Sequence, residues 1–340
     1  MLYVSTRSKT DSYTAHRVLN EDRAPDGGFF IPFRLPEYDQ ATIKIICEGS
    51  FGEAVAHILN EFFSANVSAW DVDCAIGKVS VKIISTPHRV LLAQLWNNPG
   101  DSYDYICTTL YNRLSGGGKR VTEWARIAIR IAILFGLYTV LSKQNMETFD
   151  VSVNTGDFSD PTAAWYAKKM GLPIGTIVCA CNDNSAVWDF LHRGELNTGA
   201  SVVQSNTPAL DIANPAGLER LIFSNFGYEE TQKYLLACQK RRIYQIRPDM
   251  LNIISEGFFV SVVGVDRVSA VINSVYRSNN YILDPYCAVS YGSLQDYRAK
   301  TGESCPTVLL WDYSPLRSIA VVQNALGIGK IEIENQLKKI

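Results

Sequence analysis

The stretch from Val151 to Phe223 most narrows what this chain can fold into. A β-branched run, Val151-Ser152-Val153, leads into the loop Asn154-Thr155-Gly156-Asp157-Phe158-Ser159. A helix is expected next, with Asp160 as N-cap and Pro161 at its first position. It carries Ala163, Ala164, Ala167 and Met170 on one side, and Gly171 with Pro173 stop it. The apolar run Thr176 to Cys181 then reads as a buried strand. Strand, glycine turn, helix and strand make a βαβ unit. The turn before such a helix is where backbone N–H groups and the helix dipole can hold an anion.

The flanking chain keeps alternating. Ser50 to Ala65 reads as an amphipathic helix, with Ser50 and Glu53 at capping-box spacing. His57 within it reads as a surface or packing residue. Ile127 to Leu141 is the longest apolar run; Arg130 interrupts it and it is too short to span a bilayer, so a core helix is expected. Further on, Glu229 to Ile243 and Arg267 to Arg277 read as helices, and Phe258 to Val263 and Val308 to Leu310 as strands. A chain of 340 residues, 47% hydrophobic, 19% charged and with a net charge of −2, has room for two domains. That balance gives no electrostatic reason to expect nucleic acid or an anionic membrane as partner. The eight cysteines lie mostly in apolar runs without a CxxC pair, as buried thiols do in a cytoplasmic protein. The start, MLYVSTRSKTD, has no apolar signal core.

Several phrases, in one order, resemble the threonine synthase family of pyridoxal-phosphate (PLP) enzymes. Tyr3-Val4-Ser5-Thr6-Arg7 and Ala24-Pro25-Asp26-Gly27-Gly28 are similar to the family's amino-terminal signature. Lys168-Lys169-Met170-Gly171-Leu172-Pro173, Thr207 to Ile212, and Leu218-Glu219-Arg220-Leu221-Ile222-Phe223 resemble later family phrases, as does Leu283 to Val289, with Tyr286 in place of a His. The chemical phrases depart from the pattern. With Pro99 set on the family proline, Asn97 replaces a His, Gly100 a Thr, and Asp104 the Schiff-base lysine. In the phosphate loop (Thr155, Gly156, Asp157, Phe158, Ser159), Asp157 stands for an Asn and Ser159 for a Gly. Asp312 stands where a Thr faces the cofactor ring nitrogen, and Ser314 lies in the same phrase. The family's Ser-Gly-Asp-Thr-Gly is missing, and a glycine loop at residues 115–120 stands where its small domain would be. That loop's GGGK lacks the leading Gly and the following Ser/Thr of a nucleotide phosphate loop.

The resemblance implies an α/β protein: a truncated PLP fold-type-II (tryptophan synthase β-like) architecture with a mostly parallel sheet, helices on both faces, and an N-terminal αβ domain. Residues 1–90 are expected to form that first domain and 91–340 the large one. Ligands of such sheets bind at the carboxyl ends of the strands. The candidate cleft there is Asn97, Asn98, Asp104, Asp157, Asp312 and Ser314. A carboxylate cannot form a Schiff base, and Asp157 puts negative charge where a phosphate would sit. The expectation is therefore a threonine synthase-like pseudoenzyme with no catalytic residue, no metal and no PLP, acting in binding, regulation or scaffolding. The alternative is an enzyme of another class, using the acidic cleft for metal binding or proton transfer; a residual threonine synthase or lyase comes last. A homodimer or protein partner, or a small molecule in the cleft, is expected. Trp96, Tyr103 and Trp124 are expected near the surface left by the missing domain.

Overall fold

Eleven strands build the described part of the chain: β1 (Leu2–Ser5), β2 (Ser12–Thr14), β3 (Phe30–Pro32), β4 (Ser80–Ile84), β5 (Val90–Gln94), β6 (Phe149–Asn154), β7 (Ile174–Cys181), β8 (Glu195–Asn197), β9 (Ile243–Gln245), β10 (Phe258–Val262) and β11 (Thr307–Trp311). The structure, a computed structural model, describes residues 1–77, 80–84, 89–98, 101–117 and 120–338. The central sheet has the order β10-β7-β6-β11-β5-β4. Every pairing in it is parallel except β4 with β5. β1 to β3 form a separate antiparallel sheet, and β8 pairs with β9.

Alternate residues of the central strands enter opposite cores, as a sheet covered on both faces requires. Leu91, Ala93, Val151, Val153, Val308 and Leu310 face one cluster, with the helices Glu123–Ser142 and Ser159–Lys169. Val90, Leu92, Val178, Leu309 and Trp311 face the other, with Val265–Asn279 and Pro285–Thr301. The Glu123–Ser142 helix is long and apolar enough to cross a membrane, yet 78% of its apolar window is buried inside the fold. The expected core helix is what forms. The capping box of Ser50 and Glu53 is present on Phe51–Phe63, and His57 on that helix is exposed.

Two expectations need correction. A boundary at residue 90 does not separate the first unit from the rest. β4 is the edge strand of the central sheet, and Tyr3, Phe62 and Trp124 share one core. The amino-terminal signature is also fastened to a later phrase. Arg7 holds Glu219 through Nε at 2.9 Å and Nη2 at 2.8 Å, while Thr6 donates to the same carboxylate at 2.5 Å. These two phrases therefore do structural work together. Secondly, Trp96, Tyr103 and Trp124 do not line an exposed contact: they are 5%, 4% and 1% exposed. Trp96 packs edge-on against Trp311, and Trp124 against Tyr3, Phe62 and Tyr166. Their own chain covers them.

Candidate functional site

β6 and β11 end side by side, and beyond their carboxyl ends lies a cavity of about 320 Å³. From β6 comes Asn154, followed by Thr155, Gly156, Asp157, Ser159 and Asp160 of the loop and first helical turn. Asp312 and Tyr313 come from the end of β11. Tyr103 and Asp104 come from the first turn of the helix Tyr103–Ser115, and Arg126 and Arg130 from the central helix. Ala209, Leu210, Ile212 and Tyr286 close the remaining side.

Charge pairing organises the floor. Arg130 is 2% exposed. Its Nη1 and Nη2 donate to the two oxygens of Asp312 at 2.9 and 2.8 Å, and its Nε donates to Asp160 Oδ1 at 2.8 Å. The guanidinium also lies 3.5 Å from the centre of the Tyr103 ring. Burial works against this charge, but Asp160 and Asp312 outweigh it and hold the Arg130 pKa well above its ordinary value. Burial pushes the Asp312 carboxyl up, while Arg130 pulls it back. One helical turn away, Arg126 Nη1 donates to Asp104 Oδ1 at 2.7 Å, and Ser102 Oγ lies 3.3 Å from Asp104 Oδ2. This pair is about half exposed, so it adds little stability. It does fix the chemistry of the position: a carboxylate held to a guanidinium.

The loop closes on itself. Asp157 accepts from the Ser159 backbone N–H and from Ser159 Oγ, both at 2.9 Å. The helix begins at Ser159 with Phe158 as its N-cap, in the left-handed region at φ 71°. Asp160 is thus not the cap that the sequence suggests; it sits in the first turn and turns to Arg130. Phe158 is fully buried and packs against Phe258.

Of the residues singled out from sequence, Asp104, Thr155, Gly156, Asp157, Ser159 and Asp312 meet at this cavity. Phe158 is buried in the core and does not line it. Asn97, Asn98 and Ser314 do not line it. Asn97 and Asn98 are exposed, with the Asn98 N–H and side-chain amide both on Asp101. Ser314 is buried and caps the short turn Pro315–Ser318. Pro99, Gly100 and part of the glycine loop lie outside the described residues. Sequence reasoning missed the roles of Arg126 and Arg130. The available signal was a pair of arginines four residues apart in an otherwise apolar helix. No lysine is among the described residues that line the cavity.

A family model for the threonine synthase N terminus matches residues 2–78. Human threonine synthase-like 1 is 29% identical over 217 residues, which cover 62% of this chain and 29% of that protein. Threonine synthase of Saccharomyces cerevisiae is 26% identical over 247 residues, covering 66% of this chain and 48% of that one. The chain thus spans less than half the length of these curated relatives. PLP-bound threonine synthase from Brucella melitensis superposes with a TM-score of 0.86 at 20% identity, over 99% of this chain and 94% of that one. The yeast enzyme gives 0.87 at 18%, with the same coverage. The chain is similar in sequence and fold to the threonine synthases, and the likeness covers the fold from the N-terminal unit through the central sheet.

Proposed function

We propose that this threonine synthase relative works without PLP-dependent catalysis, as a binding, regulatory or scaffold protein. The observation that carries the reading is the ion pair of Asp104 with Arg126 at the position matched to the Schiff-base lysine. A carboxylate has no amine to condense with an aldehyde. Two further contacts support it. Asp157 already takes the Ser159 N–H of the loop that would cradle a phosphate. Asp312, at the place matched to the ring nitrogen, gives both oxygens to Arg130. The residues present therefore do not suit the cofactor. The same arginines weigh against an open acidic cleft running acid–base chemistry, because two of its three expected carboxylates are held as ion pairs.

The test is a PLP titration of the purified protein, followed by visible absorbance, borohydride reduction and mass mapping. The expected result is no band beyond free PLP and no reduced adduct on a specific lysine. A stable aldimine band trapped on one internal lysine would overturn the reading.

A further inference from the structure

We infer that the cleft binds a small organic cation, an amine carrying a short apolar or aromatic body. The inference rests on the reading that PLP does not fill the cleft. Four carboxylates face the cavity, those of Asp104, Asp157, Asp160 and Asp312, against the guanidinium groups of Arg126 and Arg130. Two negative charges are left over among the lining residues, and Arg317, outside the lining beside Tyr313, offsets part of them. The Asp157 carboxylate hydrogen-bonds to Ser159 of its own loop at the exposed mouth, and Asp160 gives Arg130 one oxygen.

Uncommitted polar atoms point the same way. Asn154 Oδ1 is buried without a hydrogen-bond partner, and an ammonium group is a donor with no acceptor of its own. Tyr103, 4% exposed, also lines the cavity; its hydroxyl has no oxygen or nitrogen partner, only the Cys107 thiol beside it. Buried polar atoms left in this state are uncommon and call for a ligand or water. The wall is aromatic. Tyr286 and Tyr313 lie with ring centres 4.7 Å apart, and such faces attract cations. Arg317 sits 5.2 Å from the Tyr313 ring and is tied to Ser102, which leaves Tyr286 as the freer face. An anion meets the opposite situation: excess negative charge, and a loop N–H already taken by Asp157. At about 320 Å³, the cavity is at the small end of the roughly 300–1,000 Å³ range of ligand pockets.

The test compares 2-phenylethylamine with its carboxylate counterpart 3-phenylpropionate by calorimetry, on protein shown by absorbance to be free of PLP. The amine should bind, more weakly as salt is raised, and the carboxylate should not. Asp157→Asn keeps an oxygen for the Ser159 N–H, so the loop stays capped. It should weaken amine binding about fivefold, roughly the effect of one solvent-exposed charge. Three results would overturn the inference: carboxylate binding as tight as amine binding, no amine binding up to about 10 mM, or amine affinity unchanged in Asp157→Asn. An aldimine band on adding PLP would sink the reading beneath it and this inference too. A protein that takes up neither PLP nor amines would sink the inference alone.

Discussion

Arg130 shows what a single residue does here. A guanidinium that is 2% exposed is tolerable only when paired, and Asp160 and Asp312 both face it. Arg130→Met should lower stability by about 3–5 kcal/mol, because Asp312 is left buried without its partner. Urea unfolding measures this, and Arg130→Met with Asp312→Leu should recover much of the loss. A second buried acid sets a pH dependence. Asp284, 1% exposed, accepts from the Tyr286 and Cys287 N–H groups at 2.8 and 3.3 Å, and its other oxygen has no partner. Burial pushes its pKa up to about 7. In the unfolded chain it titrates near 3.9, so the native state holds the proton more tightly between these values. Its contribution is full below about pH 4 and is lost as pH rises toward 7, by up to about 4 kcal/mol. Asp284→Asn, which keeps a capping side chain, should flatten that slope; a wild-type urea midpoint that does not fall across the window would contradict it. These residues also mark how much of the site the sequence could reveal. Asp104, Asp157 and Asp312 were visible as departures from a family pattern. The partner of Asp312 was not, since Arg130 lies 182 residues away and only tertiary packing joins them.

At the scale of elements, local patterns were informative and their junctions less so. The βαβ unit around Val151 to Cys181, the capping box at Ser50 and the core helix all follow from periodicity and cap chemistry. The start of the Ser159–Lys169 helix does not. A left-handed Phe158 is costly for a non-glycine residue and persists because the ring is locked in the core, a constraint no local pattern encodes. The end of that helix was legible at Gly171, and the structure gives two reasons. Its φ is +105°, and a Cβ there would come within 2.2 Å of the Tyr38 carbonyl oxygen. Gly171→Ala should cost about 1–3 kcal/mol in thermal or urea unfolding. Ser50→Ala should cost about 1 kcal/mol through the lost cap, and little beyond it, because that end of the helix is exposed.

At the scale of the whole molecule, the sheet is covered on both faces and the N-terminal unit shares its main core. The two-domain reading drew its boundary where the composition changes little. β4, from within the first 90 residues, completes the sheet edge instead. A homodimer or partner complex remains our proposal for the surface that a missing small domain would leave. Light scattering at micromolar concentration should show a species larger than one chain; a strict monomer would count against it. The place of β11 carries a consequence for how the protein is made. It lies between β5 and β6, which have no other strand between them, yet it follows both of them by a long stretch of chain. Throughout translation up to Trp311, β5 and β6 each keep one bare edge, and Arg130 lacks its bidentate partner. Unpaired edges invite other chains. A nascent chain of this protein is therefore exposed to misassembly until β11 has been made, and the cleft cannot come into being before it.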